Sequence, residues 1–194
     1  VEHALEAFRN GKNVVMVTVE ADAFCGPLLA QRAAAAGVIY SLAYGDQPAL
    51  ICELVDWART SGFEVTAAGR GHKWLPHFAQ STPETVWKYW GLNAEQARRG
   101  GLNPKMFNSF LDGSKPAIES TAVANATGLT PAPDGLAFPP CSVEDLPFVM
   151  RPASGSRRIS ASAVMLLPQP DSPTSAKASP RSMASVRWSM ALTM

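Results

Sequence analysis

No glycine-rich loop precedes any strand-like run in this chain of 194 residues, so no segment offers the backbone cradle that a pyrophosphate needs. No run of about 18 apolar residues occurs, which excludes a membrane-spanning helix. The net charge is +1 and the Lys and Arg residues are scattered. Nucleic acid is therefore not an expected partner, because no basic stripe exists to neutralise phosphates. Cysteine is scarce, and Cys25, Cys52 and Cys141 are odd in number and far apart. They suit reduced thiols of a cytoplasmic protein better than a disulfide framework or a zinc site. The opening VEHALEAF is amphipathic and acidic, unlike a signal peptide. Acidic residues all but vanish after Pro152, where Asp171 is the only one left.

Two contrasting regions remain. Residues 152–194 carry ten serines and five basic residues. Segments such as SASAVMLLPQPDSPTSAKASPRS keep no helical or strand period, and Pro168, Pro170, Pro173 and Pro180 would break any long helix. This tail is expected to be largely disordered and unrelated to the rest, as a linker or a frame-shifted end would be. Residues 1–151 read instead as folded α/β structure. A helix is predicted over Glu2–Arg9, closed by Asn10-Gly11. The β-branched run NVVMVTV (13–19) reads as a buried strand, Pro27–Ala36 as a helix stopped by Gly37, and VIYSL (38–42) as a second strand. A helix over Pro48–Ser61 ends at Gly62, and FEVTAA (63–68) gives a third strand. Strands alternating with helices argue for a parallel sheet covered by helices. Beyond Gly69 polar loops and helices near 83–90, 94–99 and 103–127 suggest an appended α-rich substrate region. Gly113 and Pro116 divide its last helix near Asp112.

Ligands bind at the carboxyl ends of parallel strands, and three polar loops are expected there. They are Glu20-Ala21-Asp22, Ala43-Tyr44-Gly45-Asp46-Gln47 and Gly69-Arg70-Gly71-His72-Lys73. Asp46 precedes Gln47-Pro48 at a helix start, so it reads either as an N-cap or as a ligand for a divalent cation or a substrate hydroxyl. Glu20 and Asp22 face the same two readings. The Gly-Arg-Gly-His-Lys loop resembles an anion cradle, in which Arg70 and Lys73 supply charge and His72 could exchange a proton near neutral pH.

The densest polar stretch is NPKMFNSFLDGSKPAIESTAVANATG, residues 103–128. Lys105, Asn108, Ser109 and Asp112 fall at i, i+3, i+4 and i+7, which sets them on one helix face. Lys115 and Glu119 follow at once. Such groups beside Met106, Phe107, Phe110 and Leu111 are what a small polar substrate requires, and Lys, Asn and Ser are donors suited to phosphate oxygens. The alternative is a solvated face carrying a Lys–Asp pair. Trp57, Trp74, Trp87 and Trp90 are assigned to packing.

Four blocks, GKNVVMVTVEADAFCGPLLA, AYGDQPALICELVDWAR, GRGHKWLP and NPKMFNSFLDGSKPAIESTAVANATGL, resemble a bacterial family labelled homoserine dehydrogenase-like with a small C-terminal SAF domain. One branch of that family is similar to the deoxyxylulose-phosphate reductoisomerases of isoprenoid biosynthesis. The resemblance covers residues 1 to about 151. It implies an NAD(P)H-dependent oxidoreductase with a Rossmann domain followed by a catalytic domain. On that pattern residues 1–69 are the end of a nucleotide-binding domain and 70–151 the catalytic region, while the glycine-rich half and the SAF region are missing. The chain then reads as a fragment, inactive alone, whose exposed sheet edge would pair with a complementing N-terminal chain or a second copy.

Set against that chemistry, residue type and spacing suggest roles. Asp46 would bind a divalent cation or a substrate hydroxyl, Lys105, Asn108, Ser109 and Lys115 would hold a phosphate, and Lys73 would be a general acid or charge clamp. Arg70, His72 and Glu119 would complete substrate binding, Asp112 would join the catalytic set, and Glu20 and Asp22 would face the cofactor. The competing expectations are a non-catalytic α/β module that binds an anion or a partner, and a truncated gene remnant.

Overall fold

The computed structural model describes residues 1–131, 135–142 and 144–150, together with the backbone of the strands Ser162–Leu167 and Val186–Leu192. In chain order the elements are helix α1 (Glu2–Arg9), strand β1 (Val14–Met16), α2 (Val19–Ala35), β2 (Tyr40–Leu42), α3 (Gln47–Thr60) and β3 (Glu64–His72). A 3-10 turn at Pro76–Gln80 leads to α4 (Val86–Tyr89), α5 (Ala94–Arg99), α6 (Pro104–Leu111) and α7 (Ser114–Thr127). β4 (Pro140–Cys141), α8 (Leu146–Val149), β5 (Ser162–Leu167) and β6 (Val186–Leu192) complete the set.

The helix–strand alternation appears as expected, but one continuous sheet does not. β1 and β2 form their own parallel pair, with Val14 opposite Tyr40 and Met16 opposite Leu42. β3 belongs to a second sheet of order β4-β6-β3-β5, parallel to β5 and antiparallel to β6. A Rossmann-like sheet is therefore not what the described strands build. Within the tail two short strands, β5 and β6, pair with β3; the expectation for its remainder lies outside the described residues.

Two further corrections bear on the site. First, Glu20 and Asp22 do not lie in a loop. They occupy the first turns of α2, which begins eight residues before Pro27 and kinks at Cys25 (φ −149°, ψ 25°). A proline inside a helix removes one amide and frees a carbonyl on the preceding turn. Asn125 of α7 answers that need: its Nδ2 donates to the carbonyls of Asp22 (2.9 Å) and Ala23 (3.4 Å), joining α7 to the kink. Second, the Gly69–His72 segment is not an open loop. It is the buried second half of β3, where Arg70 and His72 are enclosed.

The core that seats these elements lies between α3, β3 and α7: Ile51, Val55, Ala58, Val65, Ala68, Val123 and Leu129. Val55 and Ala58 are fully buried at helical spacing, so α3 presents one apolar edge to the strand. A second cluster, Ala4, Phe8, Met16, Leu29 and Ala33, fixes α1 and α2 against β1. A third, Phe78, Val86 and Leu111, draws Trp74, Trp87 and Phe107 beneath α6. Trp57, assigned to packing from sequence, is 61% exposed because it projects from the outer side of α3. Val15, Val17 and Ile39 are exposed along the β1–β2 pair, and the three cysteines are free thiols.

Candidate functional site

α2 starts three residues after β1, and Asp46 caps α3 four residues after β2, so both helix N-termini open on the rim that the strands point towards. The N-terminal half of α7 crosses the same rim, because Gly113 in the left-handed conformation (φ 91°) turns the chain sharply after α6. Four segments thus bring Glu20, Asp46, Arg70, Lys115 and Glu119 within electrostatic reach of one another.

At the centre is a buried ion pair. Arg70 Nε lies 2.8 Å from Glu119 Oε2, and both side chains are only 8% exposed. The atoms are close, yet off the line of a good hydrogen bond. Burial pushes the Arg70 guanidinium down from its ordinary value, while the charges of Glu119 and Asp46 hold it up. Burial pushes the Glu119 carboxyl up, and Arg70 and Lys115 oppose that shift. Lys115 Nζ donates to Glu20 Oε1 at 3.0 Å, with side-chain exposures of 20% and 52%. This outer pair is therefore the part of the cluster that a solute can reach. The Glu20 carboxyl is held below the usual range by its own backbone amide and then by Lys115. Asp46 Oδ1 accepts the Gln47 amide at 3.0 Å, which makes it the N-cap of α3, while its second oxygen retains acceptor capacity.

His72 sits on the same side of β3 as Arg70, two residues on. Burial and the Arg70 charge push its imidazole down to about 4, and the Phe110 backbone pulls weakly the other way. Neither ring nitrogen has an aligned hydrogen-bond partner among the described residues. Its ring lies 6.0 Å from that of Phe138, which stacks on Trp74 at 4.8 Å. A neutral imidazole under an aromatic cover is not the exchangeable loop histidine the sequence suggested. Lys73, the next residue, is exposed beyond the strand's end.

The α6 face predicted from its spacing is not brought to this cluster. Lys105 is exposed and lies near Glu84. Asn108 is buried and donates to Asp112 Oδ2 at 3.0 Å; Asp112 Oδ1 accepts the Ser114 amide at 2.8 Å. Ser109 donates back to the Met106 carbonyl at 2.7 Å. Three of the four residues thus close local hydrogen bonds that end α6 and start α7. Asp22, offered as a cofactor contact, is buried. Its Oδ2 accepts the Tyr40 hydroxyl at 2.7 Å, and burial raises its carboxyl above the usual range. Tyr40 was not singled out from sequence, although a tyrosine in a short apolar strand needs a partner for its hydroxyl.

The cluster can orient hydroxyl and carbonyl oxygens: it offers one ammonium with three donors and carboxylates that accept. It does not fit a pyrophosphate. The helix N-termini that would hold one carry Glu20 and Asp46, whose carboxylates repel phosphate and, at α3, already occupy the first amide. Among the described residues no group of three or more His, Cys, Asp or Glu side chains gathers closely enough to hold a metal ion. No helix among them is long and apolar enough to cross a membrane.

The family model for the catalytic domain of the oxidoreductase DRL matches residues 45–165, more than half of the chain. The match begins at the glycine before Asp46 and runs across the region containing β3, α6 and α7. No curated protein matches the chain.

Proposed function

The chain belongs to the oxidoreductase DRL family, and on that premise we propose that its rim cluster binds a small, uncharged hydroxy-carbonyl compound and supplies the acid end of its reduction. A nicotinamide is the hydride-donor class that accords with an oxidoreductase catalytic domain, but the rim residues do not fit its phosphates. The observation that carries the reading is the Lys115–Glu20 pair at the accessible edge of a buried, fixed ion pair.

Reduction of a carbonyl develops negative charge on its oxygen. A donor that is already oriented stabilises that charge without reorganising. Lys115 Nζ can donate to the oxygen and deliver a proton to it, while Glu20 keeps the ammonium aimed across the rim. The free oxygen of Asp46 can accept from a neighbouring hydroxyl. Arg70 and Glu119 neutralise each other beneath and keep the α7 turn in place. Three carboxylates against two cations give the cluster a formal charge of −1, which favours a neutral polyol-like substrate over a phosphorylated one.

The test is isothermal titration of the full chain with dihydroxyacetone and with its phosphate ester. Binding of the neutral compound is expected, more tightly than the ester. Tighter binding of the ester would overturn the substrate class, and no binding of either compound would count against the whole reading.

A further inference from the structure

A cavity of about 510 Å³ lies between α2, β2, α3 and the end of α7, and none of the five rim residues lines it. Its walls are largely apolar, built from Pro27, Ala30, Leu42 and Ala49, with the rings of Tyr40 and Tyr44. Its charged groups are all of one sign. Asp22, Glu53 and Asp56 line it, and no Lys, Arg or His stands among the described residues that do so. Arg59, one turn beyond Asp56 on α3, donates to the Thr127 carbonyl at 2.8 Å and does not line the cavity.

Asp22 distinguishes this arrangement from a solvated acidic face. It is 4% exposed, yet Oδ1 has no hydrogen-bond partner among the described residues. A buried carboxylate oxygen without a partner carries a desolvation cost that a bound donor would relieve. The carboxylate is also fixed. Its oxygens lie over Gly26, where a Cβ would come within 2.7 Å of them, so only glycine leaves room for it in the cavity wall. The thiol of Cys52 reports the local field: burial, then the charges of Asp56 and Asp22, push it up to about 11.

We propose that this cavity is a binding site for a small organic ammonium ion, a primary amine on an apolar body, with the ammonium set between Asp22 and Asp56 and the body against the tyrosine rings. The volume is in the range of small-ligand pockets. Tyrosine faces attract cations. Carboxylates in an apolar wall favour a charged donor over a neutral one. A bare metal ion suits the site less, since no close set of three ligating side chains forms among the described residues. This inference is independent of the rim and of the proposed reduction.

Isothermal titration of the full chain with phenethylammonium, 2-phenylethanol and phenylacetate tests it. The three probes share a ring and differ in charge. The ammonium is expected to bind at least tenfold more tightly than the alcohol, with no binding of the carboxylate. Asp56 is exposed on α3, so Asp56→Asn should fold normally and lose about tenfold in affinity for the ammonium. Glu53→Gln, equally exposed, is the second variant if the first misfolds, with a loss in the same direction. Equal affinity for the ammonium and the alcohol, no binding of the ammonium at millimolar concentration, or unchanged affinity in the folded variant would overturn the proposal.

Discussion

Arg70→Met is expected to lower the stability of the chain by about 3–5 kcal/mol, the range for stripping a buried ion pair of one partner. The cost arises because Glu119 would stay buried among α7 and β3 with its charge uncompensated. Its carboxyl already lies above the usual range through burial, and without Arg70 it loses the strongest opposing pull. Proton uptake by Glu119 would then relieve part of the penalty, so the loss should be smaller at acid pH. Replacing both residues, as Arg70→Met with Glu119→Leu, should recover most of the stability, since an apolar pair of similar volume meets no desolvation cost. Denaturant unfolding of the three proteins checks this, with the midpoint moving at constant slope. A single substitution that costs less than about 1 kcal/mol would place the pair among surface ion pairs and contradict its burial.

The second large effect is on the pH dependence of stability, through His72. Its imidazole is about 4 in the folded chain, against an ordinary value of 6.5. The unfolded chain therefore binds the proton first as pH falls. The contribution of this group is fully present above pH 6.5, is lost progressively between pH 6.5 and 4, and amounts to roughly 3 kcal/mol across that window. Other groups act too. Asp22 and Glu119, raised by burial, contribute stability that is lost as pH rises through the acid range. Glu20, lowered, contributes stability that is lost as pH falls. Comparison with His72→Gln cancels these terms. The variant's stability curve should lack the wild-type fall between pH 6.5 and 4, and parallel curves would show that the imidazole is not buried neutral. Because the Arg70 charge is one cause of the shift, Arg70→Met should also narrow the His72 window.

Much of the local structure was legible because short-range chemistry decides it. Gly37 and Gly62 follow the ends of α2 and α3 as the stops they resemble. Asp46 was readable as a cap, and it is one. What the sequence hid depends on distant partners. Gly69–His72 reads as a loop because glycine and basic residues have little strand preference; pairing with β5 and β6 and enclosure of Arg70 by Glu119 override that. Pro27 reads as a helix start because prolines favour first turns, whereas here Asn125, far along the chain, satisfies carbonyls at the kink and lets α2 begin earlier.

The site divides in the same way. Strand-end reasoning picked Glu20, Asp46 and Arg70, and polar crowding picked Lys115 and Glu119, but no local signal revealed that Arg70 would pair with Glu119 or Lys115 with Glu20. The spacing of Lys105, Asn108, Ser109 and Asp112 suggests one helix face for a phosphate; α6 ends at Leu111, with Asp112 as its C-cap. Its polar groups serve the α6–α7 turn instead, because Asn108, Ser109 and Asp112 each find a partner within four residues.

Amide-resolved NMR titration of the full chain with dihydroxyacetone measures where a small hydroxy-carbonyl compound binds. Saturable shifts centred on the amides of Glu20, Asp46 and Lys115, abolished by Lys115→Met, are the expected result. Shifts confined to Pro104–Leu111, or shifts that survive the loss of the Lys115 ammonium, would contradict a substrate site at the rim.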